Sequence, residues 1–236
     1  MELICFTSSK GGVGTSQLIA KIAKAASKMG HNCLVADLHA KRRTLDIYLD
    51  ATDSFVYDIN DVCENMCTFE DALVKVNENL DFISCSQTRD IDDYSNVYQL
   101  LKQKGLKYDF IFTDSPFDKC DVDSIAVLVT TCENASLRCT EKLSKDLQNS
   151  KKYLIINKID VDLILNEINP NIDDICDLCA VSPIGLVPYD RDYFAGTKLN
   201  SLCEKSFENI VKRLNGIHVA AIDFKSKKSK NIFSRR

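Results

Sequence analysis

The chain has 236 residues, 45% hydrophobic and 27% charged, with a net charge of −4. This suits a soluble globular domain long enough to bury a large core, and the charge alone selects no partner. The N-terminus "MELICFTSS" lacks a basic region and a long apolar run, so no signal peptide is read there, and no stretch approaches the roughly 20 apolar residues of a membrane span.

In chain order, "LICFTS", "CLVAD", "LDFISC", "FIFTD", "IAVLVTT", "YLIIN" and "PIGLVP" read as buried strands. They are continuous rather than alternating, as expected when helices cover both faces of a sheet. Between them "SQLIAKIAKAASKMG" has apolar residues at helical spacing and stops at Gly30, and "NVYQLLKQKG" and "NASLRCTEKLSKDLQNS" also read as helices. The alternation predicts an α/β fold, a doubly wound and mostly parallel sheet with helices on both faces and ligands at the carboxyl ends of the strands. Residues 1–219 form the predicted α/β domain and residues 220–236 a basic tail. Six Lys/Arg and one Asp lie in 223–236, about +5, leaving about −9 for the rest. Eleven scattered cysteines read as small buried hydrophobes in a reducing cytoplasm. The pairs Cys63/Cys67 and Cys176/Cys179 each supply two metal ligands where a structural zinc needs four.

The segment "SKGGVGTS", Ser9–Ser16, falls between the first strand and the first helix. Glycines there let backbone N–H groups close around phosphate oxygens, and the helix N-terminus adds a favourable dipole. Against G-x-x-x-x-G-K-[ST], Gly14 and Ser16 match, Ser9 replaces the first glycine and Thr15 replaces the lysine.

"KGGVG" resembles the deviant P-loop of the MinD/ParA family of ATPases, whose usual form is K-G-G-V-G-K-[ST]. "VADLHAKRRTLD" (35–46) resembles its switch I and "YDFIFTDSP" (108–116) its Walker B strand and switch II. "VYDINDV" (56–62) and "SQTRD" (86–90) are similar to segments of the MinD branch. "VLVTTCENASLR" (127–138), "IINKI" (155–159) and "GLVP" (185–188) match further family stretches in order, so the resemblance covers about residues 2–215.

The resemblance implies ATP/ADP binding by Lys10, Gly11, Gly12, Val13, Gly14, Thr15, Ser16 and Gln17, with Asn157 and Pro188 at the adenine. It implies Mg2+ held at Ser16 and Asp114, catalytic roles for Lys10, Asp37 and Asp114, and a homodimer in which Lys10 reaches the partner's nucleotide. A division or polar-localisation partner and an anionic membrane surface follow from the same resemblance, with the chain cytoplasmic or peripheral on the inner membrane face. Lys227, Lys228, Lys230, Ile232, Phe233 and Arg235 are the candidate membrane residues. Helical spacing from Phe224 meets Lys228 before Ile232, so the apolar stripe is broken. A polybasic segment still gains about 1 kcal/mol per Lys/Arg near anionic lipid. A solvated tail and nonspecific nucleic-acid contact are the competing readings, and no specific nucleic acid is implied.

Three departures surround one phosphate. Thr15 stands for the lysine that bridges the β- and γ-phosphates, His39 for the switch I aspartate that positions water, and Asp118 for a switch II glycine. Losing one charge-assisted hydrogen bond weakens triphosphate binding roughly 10- to 150-fold. Losing a preorganised transition-state donor costs about 10²–10³ in rate. The expectation is a spatial regulator with weakened ATP hydrolysis. A fully active ATPase of the same family, a pilus-localisation factor of the same superfamily, and an iron–sulfur carrier using Cys176/Cys179 stay open.

Overall fold

The computed structural model describes residues 1–40, 42–52, 55–195 and 200–220. The candidate membrane residues Lys227, Lys228, Lys230, Ile232, Phe233 and Arg235 lie outside them. The chain forms two compact units, one of Met1–Thr7, Thr15–Ala126 and Asn149–Lys151, the other of Ser8–Gly14, Val127–Gln148 and Lys152–Arg236.

The first unit holds β1 (Glu2–Thr7), α1 (Thr15–Lys28), β2 (Cys33–Asp37), α2 (Leu45–Leu49), α3 (Ile59–Cys63), β3 (Val74–Asn77), β4 (Leu80–Ile83), α4 (Tyr94–Lys104), a 3-10 turn (Gly105–Lys107) and β5 (Phe110–Asp114). Its strands run in the order β3-β4-β2-β5-β1. The pairs β4–β2, β2–β5 and β5–β1 are parallel, while β3–β4 is antiparallel. The predicted mostly parallel α/β fold is what these strands build. Both sheet faces are covered, which explains the continuous apolar runs. Leu3, Cys5, Leu34, Ala36 and Ile111 join a core with Ile59 of α3 and Val97, Tyr98 and Leu101 of α4. The intervening Phe6, Phe110 and Phe112 point to the opposite face and pack ring on ring at 5.5–5.9 Å.

Local sequence sets the boundaries. In α1 the buried Leu18, Ile19, Ile22, Ala23 and Ala26 make one helical stripe. Gly30, at φ +89°, ends the turn that follows. Asp58 caps α3 in a box with Asp61, and Asp93 caps α4 by accepting from Ser95 and Asn96 N–H.

β6 (Ile125–Thr130) leads into the second unit, which holds α5 (Asn134–Asp146), β7 (Lys152–Ile159), α6 (Val161–Leu165), α7 (Ile172–Cys179), β8 (Pro183–Pro188), α8 (Arg191–Phe194) and α9 (Ser201–Leu214). α5 stops at Asp146, short of the predicted Ser150, because Leu147 turns extended. β7 and β8 are parallel, with a register shift between Ile156 and Ile159. α9 packs on β8 at Gly185, where a Cβ would stand 2.5 Å from Ile210 Cδ1. Among the described residues no helix is long and apolar enough to cross a membrane.

Candidate functional site

The loop belongs to the second unit up to Gly14, and α1 of the first unit starts at Thr15. Within the second unit the loop is clasped from β7. Gly12 and Gly14 adopt φ +81° and +93°, which side-chain-bearing residues rarely take. Asn157, 1% exposed, donates its Nδ2 to the Val13 carbonyl at 2.8 Å. Its Oδ1 is buried without a hydrogen-bond partner among the described residues, an acceptor suited to an exocyclic amine. A Cβ on Gly14 would lie 2.7 Å from Asn157 Nδ2. Lys158 Nζ donates to the Gly12 carbonyl at 2.7 Å. Lys10 Nζ is held by Glu133 Oε2 at 2.5 Å. The Lys10 hydrogen bond and charge, aided by the Lys158 charge, keep the Glu133 carboxyl below its usual range. Pro188 closes β8 beside β7, paired with Ile159, and its carbonyl faces Cys203 of α9.

The first unit carries a second cluster at the carboxyl ends of three neighbouring strands. Asp114 is paired in register with Phe6 of β1 and with Asp37 of β2. Ser16, in the first turn of α1, donates its hydroxyl to Asp114 Oδ2 at 2.5 Å. His39 Nδ1 stands 3.2 Å from Asp114 Oδ1. Asp37 accepts three backbone N–H groups, His39 on Oδ1 and Thr44 and Leu45 on Oδ2. Its oxygens thus hold the backbone at His39, Thr44 and Leu45. Burial, then the Asp114 charge, push the Asp37 carboxyl up to about 6, against those three N–H groups. For His39, burial opposes the charged form, but the hydrogen bond and charge of Asp114 and the charge of Asp37 outweigh it and raise its pKa.

Asp37, His39 and Asp114 offer ligand atoms within 4.8 Å of one another. Magnesium takes hard oxygen ligands, so Ser16 and Asp114 fit it. The imidazole does not suit it and engages the second Asp114 oxygen. Thr15 is buried at the start of α1 and Gln17 is half-buried beside it. Asp118 is exposed and ion-paired with Lys119 at 3.3 Å, so water and its neighbour screen its negative charge.

Cys176 and Cys179 share α7. Burial raises both thiols to about 11. Glu133 and Lys158 are contacts that local sequence does not single out. Both lie inside segments matched to the family, "VLVTTCENASLR" and "IINKI", but nothing in either residue type announces a contact with a loop more than a hundred positions away.

A family model described as ATPase MipZ matches residues 2–136, more than half of the chain. The septum site-determining protein MinD of Helicobacter pylori is 29% identical, with 98% of this chain and 99% of that protein covered. MinD of Synechocystis is 28% identical over 94% and 92%. The structure is similar to the chain in the MinC:MinD cell division protein complex of Aquifex aeolicus, with TM-score 0.82, 26% identity and coverage of 93% and 98%. It also shares its fold with MinD of Pyrococcus horikoshii complexed with Mg-ADP, at TM-score 0.73, 21% identity and coverage of 91% and 96%. The chain belongs to the ATPase MipZ family and, with it, to the MinD/ParA group of P-loop ATPases.

Proposed function

We propose that this chain is a MinD-type spatial regulator that binds ATP or ADP with Mg2+ and hydrolyses ATP slowly. In this reading nucleotide governs a homodimer that recruits a division partner, and the basic tail at 223–236 adds an anionic membrane surface. Support for a partner comes from the likeness to the chain of a MinC:MinD complex. Support for magnesium nucleotide comes from the donor set of Ser16 and Asp114 and from the open acceptor of Asn157.

The observation that carries slow hydrolysis is His39 against Asp114. At the position where the resemblance expects a water-orienting aspartate, the side chain is an imidazole drawn onto a carboxylate. Phosphoryl transfer depends on positioning and on charge stabilisation of the transition state. A group engaged with Asp114 orients no water, and Thr15 supplies no ammonium. Lys10, Gly11, Gly12, Val13, Gly14 and Gln17 complete the proposed nucleotide site, with Pro188 at the base.

The test combines phosphate release with calorimetric titration of ATP and ADP on wild type, Thr15→Lys, His39→Asp and the double variant. Wild type is expected to bind nucleotide and release phosphate at least 10²-fold more slowly than the double variant, since one lost transition-state donor costs about 10²–10³. Equal rates in wild type and double variant would overturn slow hydrolysis. Absence of nucleotide binding in wild type would overturn the whole reading. Co-sedimentation with anionic vesicles, with and without residues 223–236, tests the membrane role.

A further inference from the structure

The loop has lost the ammonium expected at position 15, yet a second lysine reaches it from elsewhere in the chain. Lys158 follows Asn157 on β7, where the pairing with β8 slips between Ile156 and Ile159. Its backbone takes φ +55°, a conformation costly for a side-chain-bearing residue and retained where the surroundings enforce it. The bulge re-aims the side chain out of the strand's regular alternation and over the phosphate-type loop. Its Cε passes 3.6 Å from the Cβ position of Gly14, the residue immediately before Thr15. Its Nζ donates to the Gly12 carbonyl at 2.7 Å. An ammonium carries three donors, and the Gly12 carbonyl takes one.

Lys10 is the other cation at this loop, but Glu133 holds it at 2.5 Å. Lys158 is near enough for its charge to act on Glu133 as well, and its hydrogen bond is to the neutral Gly12 carbonyl. A carbonyl is a weaker partner for an ammonium than a phosphate oxygen, because the phosphate adds the attraction of a full negative charge to the hydrogen bond. An anion cradled by the loop would therefore draw Lys158 in preference to Gly12.

We propose that Lys158 supplies, from the β7 bulge, the cis ammonium contact to the nucleotide phosphates that the loop lacks at Thr15. This rests on the nucleotide binding proposed above. The alternative is a purely structural clip, in which Lys158 only braces the Gly12 carbonyl.

Lys158→Gln separates the two, since a glutamine amide still offers a donor to Gly12 but has no charge. Titrations with Mg-ATP, Mg-ADP and AMP on the full chain give the readout, with Lys158→Ala and the double variant Thr15→Lys/Lys158→Gln alongside. Lys158→Gln is expected to lose Mg-ATP affinity by roughly 10- to 150-fold, the range for one charge-assisted hydrogen bond, while AMP binds as in wild type. Restoring the ammonium at position 15 is expected to return Mg-ATP affinity to the wild-type level or above. Unchanged Mg-ATP affinity in Lys158→Gln, or an equal loss for AMP and ATP, would overturn the phosphate role. So would a double variant no tighter than Lys158→Gln. Wild type that binds no nucleotide would overturn both this and the function it rests on, whereas wild type that binds alongside an unaffected Lys158→Gln would overturn this alone.

Discussion

The three loop glycines are expected to respond differently to alanine, and the difference follows from the geometry. Gly14 combines φ +93° with a Cβ position 2.7 Å from Asn157 Nδ2. A methyl group there strains the backbone by about 1–2 kcal/mol. It also displaces the buried Asn157 amide from the Val13 carbonyl, and stranding a buried polar group costs about 1–3 kcal/mol. The expected loss for Gly14→Ala is thus about 2–5 kcal/mol. Gly12, at φ +81° with nothing within 4 Å of its Cβ position, pays only the backbone term, about 1–2 kcal/mol. Gly11 has neither a positive φ nor a neighbour within 4 Å. Alanine there leaves stability unchanged or raises it by up to about 1 kcal/mol, through the unfolded chain. Urea denaturation measures all three, with the slope required to stay constant for the comparison to count. The reasoning fails if Gly14→Ala is no worse than Gly12→Ala, or if Gly11→Ala is as damaging as either. Gly11→Ala then becomes the clean probe of ligand approach, because any loss of nucleotide affinity in it has no folding defect behind it.

Buried groups in both units carry further expected outcomes. Tyr108 donates its hydroxyl to the buried Asp81 at 2.6 Å; Tyr108→Phe is expected to cost about 1–3 kcal/mol in denaturant titrations. Burial and then the Asp81 hydrogen bond raise the Tyr108 pKa, so the folded state keeps the proton that the unfolded chain sheds near pH 10; stability falls as pH rises past that point, and melting curves of the Phe variant lack this part of the fall. Burial lifts the thiol of Cys33, as it does Cys132 in the second unit, to about 12, so a thiol-specific reagent at pH 8 is expected to modify both only at the rate of unfolding, and rapid labelling of either in native protein would contradict their packing.

Much of the fold was legible because its strands are apolar on both faces. "CLVAD", "FIFTD" and "PIGLVP" coincide with β2, β5 and β8 residue for residue. The strand β3 was not legible. "VKVN" is four residues long and pairs on one side only, with β4, which leaves little periodicity to read. The short helices α2, α3, α6 and α8 escaped for the same reason, since four or five residues do not complete two turns. At the site, the loop glycines and Ser16 stood out as a motif and Asp114 through the family resemblance, and the structure brings Ser16 and Asp114 into contact. Glu133 and Lys158 did not stand out. Their placement depends on the bulge in β7 and on the start of α5, and neither leaves a trace in local composition.

The departures at Thr15, His39 and Asp118 also weigh differently once placed. Against the family pattern, Thr15 removes a positive charge, His39 removes a negative one, and Asp118 adds a negative one. Counted equally, they leave the site more repulsive to a triphosphate. Placement changes that balance. Asp118 is exposed and paired with Lys119, so water and its neighbour screen most of its charge. His39 is only 34% exposed in its side chain and lies against the nearly fully buried Asp114, where charge is screened far less. In the metal-free protein its raised pKa favours the imidazolium, an offset to the positive charge absent at Thr15. The offset sits on the magnesium side, against Asp114, rather than where an attacking water would be oriented. Long-range attraction for a polyanion depends on the sum of charges, whereas hydrolysis depends on the position of each. On the function proposed above, the same substitutions would spare nucleotide binding more than turnover, and equal losses of ATP affinity and of phosphate release relative to the Thr15→Lys/His39→Asp variant would contradict that asymmetry.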